Sequence, residues 1–510
     1  MSVMAIIRRW CSFGVSVVLV LSLLITTSVG IAGVFGYNGV FNVKYKYAGR
    51  ERSLTQLKTH DIRRQLRILA GVDLPLGGSG RPDAVGLYYA KIGIGTPPKD
   101  YYVQVDTGSD IMWVNCIQCT ECPRRSSLGI ELTLYDIDNS VTGKLVPCNQ
   151  DFCLEINGGP LSGCMANMTC PYLQIYGDGS STAGYFVKDV VQYDRVSGDL
   201  QTTSANGSVI FGCGARQSGD LGSSNEDALD GILGFGKSNS SIISQLASSG
   251  RVKKMFAHCL DGINGGGIFA IGHVVQPKVN VTPLVPNQPH YNVNMTAVQV
   301  GHVFLNLSKE VFEVGDRKGT IIDSGTTLAY LPETVYEPLV SKIISQQPDL
   351  KVHTVHDEYT CFQYSESVDD GFPLVTFHFE NSLSLKVYPH EYLFLFVSIS
   401  SKLTKEGLWC LGWQNSGMQS RDRMNLTLLG DLVLSNKLVL YDLENQVIGW
   451  TEYNCSSSIE LKDEQSGTVR LVGYHSLSSA CSLNTRWAIV LLFLILLLHN
   501  IFTEMLLDFS

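Results

Sequence analysis

Two short stretches in opposite halves of the 510-residue chain carry the same chemistry. The first reads Val103-Gln104-Val105-Asp106-Thr107-Gly108-Ser109, and the second Thr320-Ile321-Ile322-Asp323-Ser324-Gly325-Thr326. In each, an apolar, β-branched strand runs into Asp, a hydroxyl residue, Gly and a second hydroxyl residue. Glycine lets the backbone turn tightly and approach a neighbour closely. The hydroxyls can bond local backbone and carboxylate oxygens, and so hold each Asp side chain in one orientation. One Asp-Gly turn alone would mean little, because such turns are common in β proteins. Two copies suit a pair of carboxylates, Asp106 and Asp323, brought face to face by two similar lobes. At close range the two do not ionise together readily, so one proton is shared in mildly acidic solution. The pair then supplies a general base and a general acid in one place, able to activate water against a peptide carbonyl.

Further motifs surround the two turns in a definite order. Tyr88-Tyr89-Ala90-Lys91-Ile92-Gly93-Ile94-Gly95-Thr96-Pro97-Pro98 precedes the first, and Trp113 follows it. Tyr176-Gly177-Asp178-Gly179-Ser180, Asp230-Gly231-Ile232-Leu233-Gly234-Phe235-Gly236 and Leu428-Leu429-Gly430-Asp431 come later. Over roughly residues 82–455 this set resembles a pepsin-type aspartic endopeptidase of the cysteine-rich, nepenthesin-like kind found in plants. The paired carboxylates of such enzymes are the type case of a shared proton. The resemblance implies an all-β, bilobal fold with an active-site cleft between two homologous lobes and a few short helices. It implies an opening hairpin at 88–98 and apolar-apolar-Gly strands crossing behind each Asp loop. Tyr176, with Gly177, would form the tip of a flap over the substrate, and Trp113 would bond that tyrosine from behind. Ser109 and Thr326 would support the outer carboxylate oxygens. The implied substrate is a protein or peptide, cleaved by a monomer without metal or cofactor.

A rival reading is a non-catalytic binding or inhibitor-like protein on the same fold. Such relatives usually lose an Asp or its hydroxyl neighbours, whereas both turns are complete here. A membrane-tethered adhesion or lectin-like module has no specific feature in its favour. Asp110 and Asp178 add carboxylates near the dyad, which would raise its apparent pKa values or favour basic side chains in the substrate.

The length allows two or more full cores. The net charge is −9, and no long basic or acidic run points to nucleic acid. Residues 1–30 read as a secretory signal, with Arg8 and Arg9, an apolar run over Phe13–Ile25, then small residues near Ser28 and Gly30. A buried core helix is the alternative. Lys44, Lys46, Arg50, Arg52, Lys58, Arg63, Arg64 and Arg67 make a basic patch ahead of an acidic body, interrupted by Glu51 and Asp61. Electrostatic masking of the body follows from that asymmetry, and the resemblance implies a propeptide over 31–81. A solvated helix with no inhibitory role is the other reading. Gly77-Gly78-Ser79-Gly80-Arg81-Pro82 marks the boundary.

Lobes are then expected at 82–290, with a cysteine-rich insertion, and at 291–455. Short β-branched runs predict strands at Tyr101–Val105 and at Ser208–Phe211, the latter set off by an Asn206-Gly207 turn and Gly212. Helices are predicted from Ser241–Leu246 toward Met255, and over Pro332–Ile344, where Val335, Leu339 and Ile343 share a face. Pro338 predicts a kink or break in the second.

Twelve cysteines lie in the body: Cys116, Cys119, Cys122, Cys148, Cys153, Cys164, Cys170, Cys213, Cys259, Cys361, Cys410 and Cys455. Behind a signal segment this even number predicts up to six disulfides. Zinc at Cys116, Cys119 and Cys122 is the alternative for that cluster. The resemblance implies the pair Cys361 with Cys410. Sequons at Asn167, Asn206, Asn239, Asn280, Asn294, Asn306 and Asn425 predict N-glycosylation on a secretory route. Asn454 is a weaker acceptor because its middle residue is Cys455.

Residues 456–480 read as a Ser-rich stalk, and 481–510 as a removed lipid-anchor signal or a transmembrane tail. Small residues Ser476, Ser478, Ser479 and Ala480 precede an apolar run, Trp487–Leu498, extendable to Phe502. This pattern predicts GPI attachment near Ser478 and an outer-leaflet plasma-membrane location. His499, Asn500, Glu504 and Asp508 beyond the run keep a single spanning helix as the rival.

Overall fold

The opening hairpin forms as predicted, with Tyr88–Ile94 antiparallel to Lys99–Asp106 in register from Tyr89 opposite Gln104 to Ile94 opposite Lys99. The chain, seen in a computed structural model, is described over residues 39–45 and 88–474. Excepted are 166, 177–179, 223–224, 226–227, 251, 263–264, 316–317, 356–358, 397–406, 417–424 and 463–466. The expected signal segment, Ser478 and the 481–510 tail lie outside the described residues, as do Gly177 and Asp178. Among the described residues no helix is long and apolar enough to cross a membrane.

The fold is all-β and bilobal, with few helices. Its largest sheet draws strands from both halves of the chain. Met255–Leu260 pairs with Lys437–Asp442, from Met255 opposite Asp442 to Cys259 opposite Leu438, and so hydrogen-bonds the two lobes into one layer. Every residue of Met255–Leu260 and Gly267–Ile271 is buried, which is why these segments, His258 apart, are apolar throughout instead of alternating. The second lobe adds a five-stranded sheet in the order Asn292–Val293, Lys318–Ile322, Asn425–Leu429, Ala329–Leu331 and Trp413–Asn415. One core cluster runs from Tyr88 to Trp450. Each fully buried large aliphatic or aromatic side chain contributes roughly 1.5–3 kcal/mol.

Several local expectations are corrected. Asn206-Gly207 is not a turn: both residues lie inside the strand Gln201–Ser218, opposite Gln192 and Val191 of Ser181–Gly198. The chain reverses instead at Asp199–Leu200, with Leu200 at φ +55°. Glycine at 207 answers to packing, since a Cβ there would lie 2.7 Å from Leu246 Cδ2. The helix that carries Leu246 spans only Ile242–Ser248, capped by Ser241, and Met255 already begins a buried strand. Glu333–Ile344 is helical with Pro332 as its N-cap; it continues past Pro338 and buries Val335, Leu339 and Ile343.

Two segments placed outside the lobe boundaries, at 31–81 and 456–480, contribute strands to the lobes' sheets. Gly39–Tyr45, within the expected propeptide, sits between Gly267–Ile271 and Tyr88–Ile94 in the large sheet. Within the expected stalk, Ser458–Lys462 and Val469–Gly473 form a hairpin on His273–Gln276. Ile459, Leu461 and Val472 alternate into a buried cluster there, so the serine content masked a strand period.

All twelve body cysteines pair, as Cys116–Cys213, Cys119–Cys122, Cys148–Cys164, Cys153–Cys170, Cys259–Cys455 and Cys361–Cys410. The Cys361–Cys410 expectation holds. Cys116, Cys119 and Cys122 are therefore bridged sulfurs, not a set of thiolate ligands.

Candidate active site

Each Asp turn is threaded between two strands that share a third. Lys99–Asp106 runs parallel to Gly231–Gly234, placing Asp106 opposite Gly234, and Trp113–Asn115 returns antiparallel on the same strand. Lys318–Ile322 runs parallel to Asn425–Leu429, and Ala329–Leu331 returns antiparallel on it. The backbone amide of Phe235 donates to Asp106 O at 2.7 Å, and that of Asp323 donates to Leu429 O at 3.1 Å. The apolar-apolar-Gly strands thus cross behind both turns as expected.

The two carboxylates are buried and held by matching bonds. Gly108 N donates to Asp106 Oδ1 at 2.8 Å, and the Ser109 hydroxyl donates to Oδ2. Gly325 N donates to Asp323 Oδ1 at 2.7 Å, and Thr326 Oγ1 to Oδ2 at 2.8 Å. The turns meet directly. A Cβ added at Gly108 would lie 2.5 Å from both carboxylate oxygens of Asp323, so only glycine lets the second Asp approach the first turn. Ser324 N donates across to Thr107 Oγ1 at 2.9 Å.

Tyr176 directly follows the hairpin strand Pro171–Ile175 and is buried. Trp113 Nε1 donates to its hydroxyl at 2.5 Å, the contact expected of this pair. Tyr176 N donates to Ser180 O at 2.8 Å, closing the base of the turn.

Sequence reasoning missed the support beneath the dyad. Tyr291 OH donates to Phe235 O at 2.6 Å, and the Tyr291 ring meets Tyr441 edge-on at 4.7 Å. Tyr441 stacks on Phe256 at 4.4 Å and lies close enough to Thr107 and Asp323 to feel both. Burial holds its phenol well above the ordinary tyrosine range. No local pattern marks these rings, because segments far apart in the chain bring them together. Asp230, named only as part of a motif, takes Tyr102 N at 2.7 Å and Thr133 N at 2.6 Å. Burial pushes its carboxyl up to about 7, against the pull of those two amides.

The side chains of Asn167, Asn206, Asn239, Asn280, Asn306 and Asn425 are exposed, whereas Asn294 is half-buried. Asn294 Nδ2 donates to Glu380 Oε2 at 2.8 Å, and Asn239 Nδ2 to Glu155 Oε1 at 2.6 Å.

Comparison with known proteins agrees with this geometry. The family model described as "Xylanase inhibitor N-terminal" matches residues 88–273, and "Xylanase inhibitor C-terminal" matches 290–452. Aspartic proteinase 36 of Arabidopsis thaliana is 49% identical over 467 residues, covering 92% of this chain and 94% of its own. Aspartic proteinase 39 of the same plant is 49% identical over 443 residues, covering 87% and 90%. Among solved structures, conglutin gamma, a basic 7S globulin from lupine seeds, superposes with a TM-score of 0.58 at 18% identity, covering 82% of this chain and 96% of its own. That last likeness speaks for the fold alone.

Proposed function

Because the chain belongs to the plant pepsin-like aspartic proteinase family, we propose that it is an acid-active aspartic endopeptidase with Asp106 and Asp323 as its dyad. The observation that carries this reading is the meeting of the two turns: Gly108 lies against the Asp323 carboxylate, and each Asp keeps both its amide and hydroxyl bonds. A water held between the carboxylates loses a proton to the ionised one as its oxygen bonds the peptide carbonyl carbon. The protonated partner donates to the carbonyl oxygen, giving a neutral tetrahedral diol. Collapse returns one diol proton to the now-ionised partner and breaks the C–N bond, while the proton taken from water passes from the first carboxyl to the leaving nitrogen. Tyr176, oriented by Trp113, closes the hairpin over the bound peptide. The hydroxyl and amide donors are in place before reaction, so little reorganisation is required.

The family descriptions favour one second reading, an inhibitor of a glycan-degrading enzyme on the same fold. Cleavage of a denatured protein at acid pH separates the two. The expected result is cleavage, lost in both Asp106→Asn and Asp323→Asn while circular dichroism stays unchanged. Absence of cleavage together with tight binding to a xylanase would favour the inhibitor. We also place the protein, as a monomer, on the outer face of the plasma membrane by a lipid at Ser478. Support comes from the signal-like start, the disulfides and the apolar tail. About twelve helical residues rise only about 18 Å, too little for a core of about 30 Å. Phosphatidylinositol-specific phospholipase C should release it; retention, with the 503–510 epitope still present, would favour a spanning helix.

A further inference from the structure

Beside the first Asp turn lies a cavity of about 320 Å³ that neither the dyad nor the flap tyrosine accounts for. One wall begins at Asp110, the residue after the Ser109 that bonds Asp106. Another is Tyr172 on the flap strand, four positions before Tyr176. The third is the short helix Asp151–Ile156 of the cysteine-rich insertion, which contributes Phe152, Glu155 and Ile156. Two disulfides fix that third wall. Cys153–Cys170 ties the helix to the residue just before the flap strand, and Cys148–Cys164 closes the loop around it. The insertion is thus a disulfide-fixed side of a cavity that opens beside the first Asp turn.

The lining has a specific chemistry. Its floor is aromatic: Phe186 meets Phe152 edge-on at 5.0 Å and Tyr172 in a tilted contact at 5.1 Å. Among the described residues its acidic lining is Asp110 and Glu155, and no lysine, arginine or histidine lines it. Asp110 Oδ1 accepts the Ser238 amide at 3.0 Å, and Glu155 stands exposed at the rim. Lys237 and Lys254 lie outside the lining but near enough to balance part of the Asp110 charge, so the exposed carboxylate of Glu155 carries most of the attraction. An apolar floor beneath two anionic groups suits a side chain with a long apolar stem and a cationic head.

We propose that this cavity is a substrate subsite for a basic side chain, arginine in preference to lysine. The stem lies along Phe152 and Ile156 and the guanidinium faces Asp110 and Glu155, stacking on the aromatic floor as a planar cation does. The inference rests on the endopeptidase reading and names part of its substrate class. The cysteine-rich insertion then acts as a specificity element.

The test uses the full-length secreted protein and a defined mixture of synthetic peptides, with cleavage products sequenced at about pH 5.5, where ordinary carboxylates are ionised. The expected result is enrichment of Arg, then Lys, at one fixed position from the cut. In Glu155→Lys the ratio of Arg to Glu at that position should fall roughly threefold to tenfold, the range of a partly solvated charge contact. Glu155→Gln should fall between wild type and Glu155→Lys. Cleavage with no positional enrichment, or enrichment unchanged in Glu155→Lys, would overturn the subsite and leave the endopeptidase standing. If nothing is cleaved the endopeptidase reading fails, and binding of Arg-centred against Glu-centred peptides then decides: equal affinity overturns the subsite as well.

Discussion

The Ser324 amide donates to the Thr107 hydroxyl at 2.9 Å, tying the second Asp turn to the first across 217 residues of chain. Thr107 is itself buried and lies against Tyr441, so this one hydroxyl connects both turns to the aromatic layer below them. The dyad's geometry therefore depends on a residue that carries no charge.

Replacing Thr107 by Val keeps the shape but strands a buried amide. The expected loss of stability is about 1–3 kcal/mol, with a fall in kcat larger than any rise in KM. Thr107→Ser should restore both. Thermal unfolding and steady-state kinetics check this, and a Val variant with wild-type kcat would refute the bridging role.

Asp230 and His258 predict opposite pH slopes. The Asp230 carboxyl is raised from 3.8 to about 7, so the folded state holds a proton that the unfolded state has lost. Its contribution to stability is full below pH 3.8 and disappears as pH rises to about 7. His258 is fully buried against Tyr441 and lowered from 6.5 to about 3. Its contribution is full above pH 6.5 and is lost as pH falls toward 3. Urea unfolding across this range should show Asp230→Asn removing the loss on the neutral side, and His258→Gln removing the loss on the acid side. Slopes identical to wild type in both variants would be contrary to this assignment.

Lys437 and Glu391 form a buried ion pair at 2.6 Å, with side chains 1% and 5% exposed. Burial lowers the Lys437 pKa, with Glu391 acting against it. Glu391 Oε2 also accepts the Tyr388 amide at 2.9 Å. Lys437→Met alone should cost about 3–5 kcal/mol, because it leaves a buried carboxylate uncompensated. Adding Glu391→Gln should recover a large part while keeping the amide bond. Equal stabilities of the single and double variants in denaturant titration would show that the pair is not coupled.

Glycan occupancy should follow side-chain availability. Asn294 and Asn239 spend their amides on Glu380 and Glu155, so they should be less occupied than the exposed Asn167, Asn206, Asn280, Asn306 and Asn425. Site-resolved glycopeptide mass spectrometry on the secreted protein reads this directly. Full occupancy at Asn239 would also place a glycan at the rim of the cavity lined by Glu155, and would set these acceptors equal.

Where the chemistry is local, the sequence was sufficient. An Asp, a hydroxyl, a Gly and a hydroxyl within four positions specify a turn in which the carboxylate is bonded by its own neighbours, and both turns take that form. The oxidised state of the cysteines and the Trp113–Tyr176 bond followed from residue type, order and family resemblance. Tertiary structure decided everything that depends on what a residue meets. Gly207 reads as a turn until Leu246 is seen to occupy the space a Cβ would fill, and the real reversal needs Leu200 in a conformation that no local preference favours. The polar stretch after 456 is pinned by the apolar face of His273–Gln276, and Asp230 and His258 owe their shifted protonation to burial. These outcomes are set by desolvation and by packing between strands far apart in the chain, and neither is written in the spacing of residues along it.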